Sequence, residues 1–166
     1  MTPSLRSPTA ADAAALLALN NAHAVELSEL TAEGLARLFA AAFRVRVAGE
    51  GAALLVAFDQ DADYDSPNFL WFRGRYARFV YVDRIVVAAM ARGRGLARAL
   101  YADLFAAARA AGHAHIVCEV NSDPPNPASD AFHAALGFAE VGRARLAERG
   151  KAVRYLACEL TPKRSA

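Results

Sequence analysis

The sequence predicts an α/β (α+β) fold: a mixed β-sheet with helices on both faces. Three observations carry this. Over residues 79–121 a strand pattern, a strong amphipathic helix and a second strand pattern follow one another, the order of a βαβ unit with parallel strands. Two pairs of strand-like runs, at 43–60 and 137–160, have short glycine-containing turns and read as antiparallel. Two helix patterns precede the first pair. The 166 residues suit one domain, and a hydrophobic content of 55% supplies a core that a disordered tail lacks.

The first helix pattern lies in "SPTAADAAALLALNN". Thr9 can cap it, with Asp12 three residues on as in a capping box, and Leu16 and Leu19 then share a face. A second helix starts at Thr31, since Leu35, Leu38, Phe39 and Phe43 recur at spacings of three and four. In "FRVRVAGEGAALLVAFDQ" the period drops to two. Val45 and Val47 alternate with arginines, Gly49 and Gly51 mark a turn, and residues 53–58 form a buried strand, so the segment is a hairpin.

"DADYDSPNFLWFRGRYAR" begins polar and then clusters aromatics without a period. It reads as a long loop, and such loops in compact domains are often functional. Tyr64, Trp71, Phe72, Arg73 and Tyr76 are its candidate substrate-binding residues. Arg73, Arg75 and Arg78 either favour an acidic group on the substrate or sit in solvent.

"RFVYVDRIVVAAM" reads as one long strand. In "GLARALYADLFAAARAAG" Leu96, Leu100, Leu104 and Ala108 form one stripe, widened by Ala97, Tyr101 and Phe105, and Gly112 ends the helix. "HAHIVCEVN" is the returning strand. "NPASDAFHAALGF" is a shorter helix, capped by Asn126, begun by Pro127 and ended by Gly137. "GFAEVGRARL" and "KAVRYLACEL" read as two antiparallel strands, and the apolar C-terminal one leaves room for a homodimer edge.

Charge and composition narrow the partners. A formal net charge of +2 suits a local anion site better than a surface that coats nucleic acid, so no nucleic-acid partner is expected. No signal-like h-region and no bilayer-length apolar stretch stand out, so a soluble, cytoplasmic chain with no membrane partner is expected. Cys118 and Cys158 sit in apolar strand-like runs and read as two buried thiols. His113 and His115 form an H-x-H with no third ligand in view, so no metal is expected.

One turn stands apart. "MARGRGLARAL" puts three arginines and two glycines between a strand and a helix N-terminus. Unpartnered amides and the helix dipole there suit a phosphate, glycines allow close approach, and arginines add charge-assisted hydrogen bonds. The P-loop pattern is absent. A dinucleotide fingerprint has Gly93 and Gly95 but finds Arg98 where a small residue belongs.

The run Arg92-Gly93-Arg94-Gly95-Leu96-Ala97 resembles R/Q-x-x-G-x-G/A, the pyrophosphate signature of the GCN5-related N-acetyltransferases (GNAT). "RIVVAAMARGRG" resembles that family's fourth strand and loop, and "NPASDAFHAALGF" its closing signature. The likeness is good over residues 79–160 and extends to the N-terminal half only in the order of elements.

The resemblance implies a GNAT-like sheet, mixed and mostly antiparallel, with a splayed parallel strand pair, and a single acetyltransferase domain over residues 1–166. It implies acetyl-CoA (coenzyme A) as cosubstrate and a small-molecule or protein amine as acceptor. Ile85, Val86 and Val87 would meet the pantetheine arm, and Arg92, Gly93, Arg94, Gly95, Leu96, Ala97 and Arg98 the pyrophosphate. Asn121, Asn126, Ser129, Phe132 and His133 would complete the cofactor-binding set. Asp83 and Glu119 interrupt apolar runs beside the expected splay and are the candidate bases. Asp83 alternatively forms an ion pair with Arg84, and Glu119 alternatively faces solvent. His133 stands where many members of the family have a tyrosine acid, and an imidazole can donate a proton near pH 7. The rival reading is a non-catalytic module that senses acyl-CoA on the same fold.

Overall fold

The structure, a computed structural model, describes residues 2–25 and 27–161. In chain order the elements are β1 (Leu5–Arg6), α1 (Ala13–Asn21), α2 (Ala32–Ala41), β2 (Arg44–Ala48), β3 (Ala53–Asp59), α3 (Pro67–Arg73), β4 (Phe79–Val87), α4 (Leu96–Ala110), β5 (His115–Asp123), α5 (Pro127–Ala135), β6 (Ala139–Leu146) and β7 (Lys151–Glu159). They build one seven-stranded sheet in the order β1-β2-β3-β4-β5-β7-β6. Every neighbouring pair is antiparallel except β4 and β5.

Local chemistry starts most helices where the sequence says. Asp12 accepts hydrogen bonds from the Thr9 amide at 2.7 Å and the Thr9 hydroxyl at 3.1 Å. Thr31 caps α2 by accepting from the Gly34 amide, and Asn126 caps α5 by accepting from the Ser129 amide. The leucine stripe of α4 is buried along its length.

Burial divides the core between the two sheet faces. Leu96, Leu100, Tyr101 and Leu104 of α4 pack with Leu55, Val80, Val82, Ile116 and Cys118, joined by Phe132 of α5. Leu16, Leu35, Phe69 and Phe72 bring α1, α2 and α3 onto the other face, against Leu54, Val56, Phe79, Tyr81 and Tyr155.

Three expectations are corrected. The aromatic segment contains α3 rather than being all loop. β7 is an interior strand between β5 and β6, so it offers no free edge; the edges are β1 and β6. Cys118 is buried, but Cys158 is only half-buried.

The uniform strand read over residues 78–90 is broken by a bulge. Ala57 pairs with Val82 and Val56 with Arg84, leaving Asp83 unpaired. Before the bulge Phe79 and Tyr81 face the α1–α3 side; after it Val86 does. The extra residue therefore reverses the parity of β4 and bends the strand just where its pairing with β5 stops.

Candidate active site

The last residues paired between β4 and β5 are Tyr81 and Val117. Past them the strands part, and two adjoining cavities of about 270 and 130 Å³ open in the gap. Leu27, Asp83, Arg84, Glu119 and Asn121 line both. The larger cavity extends under Tyr64, Asn68 and Tyr81 to Arg149 and Lys151 at the β6–β7 connection. The smaller runs past Ile85, Tyr101 and Cys118 to Asn126, Ser129 and His133. Two further hollows continue the line through Val86, Val87 and Arg92 to Gly93, Gly95, Ala97, Arg98 and Phe132. One cleft thus links the carboxylates to the arginine–glycine turn.

At that turn Gly93 has φ 79° and Gly95 has φ 75°, a left-handed region that L side chains rarely adopt. Nothing lies within 4 Å of where a Cβ would stand on either, so the backbone is open to a ligand. The first backbone bond into α4 runs from the Ala99 amide to the Gly95 carbonyl at 3.0 Å. Among the described residues, the amides of residues 93–98 donate to no protein acceptor. Arg92 and Arg98 line the hollow, whereas Arg94 is exposed and does not. Uncovered amides, a helix N-terminus and two arginines fit a pyrophosphate.

At the other end Glu119 is recessed in the cleft. Tyr81 Oη donates to its Oε2 at 2.7 Å, and Asn68 Nδ2 donates to its Oε1 at 3.0 Å. Desolvation pushes this carboxyl up to about 7, helped by the nearby Asp83 charge and opposed by the two hydrogen bonds. A carboxyl poised there suits a base at neutral pH.

Asp83 is differently placed. Arg84 Nε lies 2.7 Å from its Oδ2, with both side chains at most 5% exposed, and the Tyr64 hydroxyl donates to Oδ1. Arg84 also donates to Asn20 Oδ1 of α1 at 2.7 Å. The ion pair anticipated as the alternative for Asp83 is therefore present, while the solvent-facing alternative for Glu119 is not.

His133 lines the cleft, but both ring nitrogens are engaged. Nδ1 lies 2.7 Å from the Ser129 carbonyl and must donate to it, which leaves Nε2 to accept from Tyr101 Oη at 2.7 Å. Burial lowers its pKa, so the ring is neutral near pH 7. In this arrangement His133 holds no proton toward the cleft, and the expected acid role loses its geometric basis.

Of the five substrate candidates in the aromatic segment, only Tyr64 lines the larger cavity. Phe72 is fully buried in the core. Trp71 stacks on Tyr155 with centroids 4.1 Å apart, Tyr76 packs on His115, and Arg73 lies over Phe69. Arg75 covers Trp71 at 3.8 Å and Arg78 donates to the Ala111 carbonyl, so neither reaches the cavity. Asn68 and Tyr81, the two side chains that hold Glu119, are among the cleft residues that sequence reasoning missed. A usable signal was present: Ser66-Pro67 marks a helix start, which puts Asn68 and Phe72 one turn apart on one face.

The acetyltransferase (GNAT) family model matches residues 49–138. The chain belongs to this family. The match runs from the turn of the β2–β3 hairpin through Phe138, taking in the splayed pair and the arginine–glycine turn. A search of curated proteins found no match. Among solved structures, the fold is similar to ribosomal-protein-S18-alanine N-acetyltransferase from Escherichia coli, with TM-score 0.71 and 18% identity over 99% of each chain. It is similar to a phosphinothricin acetyltransferase from Sinorhizobium meliloti in complex with AcCoA, with TM-score 0.73 and 20% identity over 100% of this chain and 93% of that one. Ard1 from Thermoplasma volcanium gives TM-score 0.74 and 14% identity over 97% and 99%. At these identities the likenesses establish the fold. Among the described residues, no helix is long and apolar enough to cross a membrane.

Proposed function

We propose that this GNAT member is a single-domain N-acetyltransferase that moves an acetyl group from acetyl-CoA to a primary amine of a small molecule or protein, by direct transfer in a ternary complex. The observation that carries the reading is the continuous cleft, with uncovered amides and arginines at one end and Glu119 at the other. The AcCoA-bound relative from Sinorhizobium meliloti has the same fold, which supports the choice of cosubstrate.

Acetyl-CoA, when bound, supplies a thioester whose carbonyl carbon accepts the amine. Residues 92–98 hold the pyrophosphate through backbone amides and through Arg92 and Arg98. The edge of β4 that faces β5 has no strand partner past Tyr81, so the backbone near Ile85, Val86 and Val87 is free to pair with ligand amides. An N–H on this edge is also placed to stabilise negative charge on the carbonyl oxygen. Asn126 and Ser129 form the opposite wall.

Glu119 removes the proton from the incoming ammonium. The larger cavity, between Tyr64 and Lys151, holds the acceptor. A thiolate whose conjugate acid has a pKa of roughly 8.5 is a fair leaving group, so no side chain has to protonate it. Cys118 lines the smaller cavity, but burial pushes its thiol well up. A protonated thiol is a poor nucleophile, which favours direct transfer over an acyl-cysteine route. A sensing module would need no base in the cleft, and Glu119 lies in it.

Thiol release from acetyl-CoA with a panel of primary amines, run on the wild type and on Glu119→Gln, tests the reading. Loss of a base of this kind lowers turnover on the order of 10²–10⁴-fold. In the wild type the rate should rise with pH through about 7, as Glu119 ionises. Undiminished turnover in Glu119→Gln would remove the assignment.

A further inference from the structure

We propose that Asn68 is the positioning residue that keeps Glu119 ionised, and that Tyr155 fixes which end of the Asn68 amide meets the carboxylate. The inference rests on Glu119 being the base.

Asn68 is 4% exposed and sits in the first turn of α3. Its amide is used at both ends. Nδ2 donates to Glu119 Oε1 at 3.0 Å, and Oδ1 accepts from Tyr155 Oη at 2.9 Å. An ionised carboxylate only accepts, so it requires the nitrogen end. A phenol satisfies the oxygen end by donating. Tyr155 is itself held by the stack with Trp71, one turn further along α3. The same short helix therefore supplies both Asn68 and the ring that braces its partner.

The groups around Glu119 make the donor matter. From β4 come Tyr81, which donates to Oε2, and Asp83, whose charge opposes ionisation and is paired with Arg84. Tyr64 donates to Asp83 and not to Glu119. Tyr155 comes from β7; Arg149 and Lys151 line the larger cavity with Glu119, and Tyr101 and Cys118 line the adjoining one. Thus Asn68 and Tyr81 are the two side-chain donors to the carboxylate among the described residues. Both favour the ionised form, while desolvation and Asp83 favour the protonated one.

Loss of a hydrogen bond to the charged carboxylate should raise the Glu119 transition by about 1–2 pH units. The test is the pH profile of kcat/KM for Asn68→Leu, Asn68→Asp and Tyr155→Phe, with thermal melts to confirm folding. The acid limb should move upward in both Asn68 variants, furthest in Asn68→Asp, and less in Tyr155→Phe. Activity should recover at high pH in Asn68→Leu. A purely structural role would depress the rate at every pH and leave the limb in place, which would overturn the proposal.

A second readout needs no turnover: the carboxyl titration of Glu119 by carbon NMR on glutamate-labelled protein, assigned with Glu119→Gln. An upward shift in Asn68→Leu supports the proposal, and an unmoved titration overturns it. If Glu119→Gln keeps full activity, the assignment of the base fails, and the NMR titration still judges Asn68.

Discussion

Replacing Gly142 by alanine should destabilise the protein through one ring, and the effect should vanish when that ring is cut down. Gly142 lies in β6 opposite Tyr155. A Cβ on it would stand 2.4 Å from Trp71 Cζ2 and 2.7 Å from Cη2. That is roughly 1 Å short of an ordinary carbon–carbon contact. The indole has little room to yield, because Tyr155 stacks on it at 4.1 Å, the Arg75 guanidinium covers it at 3.8 Å and Phe72 meets it edge-on at 5.1 Å. Gly142 is outside the left-handed region, so alanine adds no backbone strain and the cost is steric. Overpacking of this kind costs about 1–3 kcal/mol. In a chain of this length that is about 2–12 °C of Tm. The decisive assay is a thermal double-mutant cycle with Trp71→Phe, since Cζ2 and Cη2 belong to the ring that phenylalanine lacks. Gly142→Ala should be costly in the wild type and within about 0.5 kcal/mol of neutral in Trp71→Phe. An equal cost in both backgrounds would refute the argument.

Three further predictions follow from the site. Gly95→Ala should weaken CoA binding in calorimetry, because a left-handed residue must be strained or displaced at about 1–2 kcal/mol; unchanged affinity would show that the turn does not hold the ligand. Arg84→Met leaves the Asp83 carboxylate in place without its cation, so it should cost about 3–5 kcal/mol in denaturant melts, and Asp83→Asn in the same chain should restore part of that. His133 has a lowered pKa in the folded state, so below about 6.5 the unfolded chain binds more protons and stability falls as pH drops; His133→Asn should flatten that part of the stability–pH curve, and an unchanged slope would contradict the hydrogen-bond assignment of its ring.

Much of this molecule was legible in the sequence because its signals are local. The α4 stripe, the Thr31 and Asn126 caps and the two glycines of the turn each act within a few residues. The features that were missed depend on distant partners. The bulge at Asp83 leaves no mark in an apolar run, since valine and isoleucine suit either face of a buried strand. It appears only when β3 supplies the register. Helix α3 has seven residues, too few to show a period, and its aromatics look like a pocket until Tyr155 and Gly142 arrive from β7 and β6. Glu119 could be singled out as a carboxylate in an apolar strand. Its elevated pKa could not, because the burial that raises it comes from the assembled fold, and the donors that oppose the rise, Tyr81 and Asn68, lie 38 and 51 residues away. His133 lies on the cleft wall, but the sequence does not reveal that Tyr101 and Ser129 occupy its two nitrogens.

The most direct test of the central claim, that the cleft between β4 and β5 binds an acyl-CoA, is a thermal shift with acetyl-CoA, CoA and NAD side by side. At 100 times its dissociation constant a ligand adds about 2.7 kcal/mol, or about 5–10 °C in a chain of this length. A rise of that order is expected with acetyl-CoA and CoA, and none with NAD. No rise with either CoA species would contradict the claim, and the arginine–glycine turn would then be a solvated basic turn.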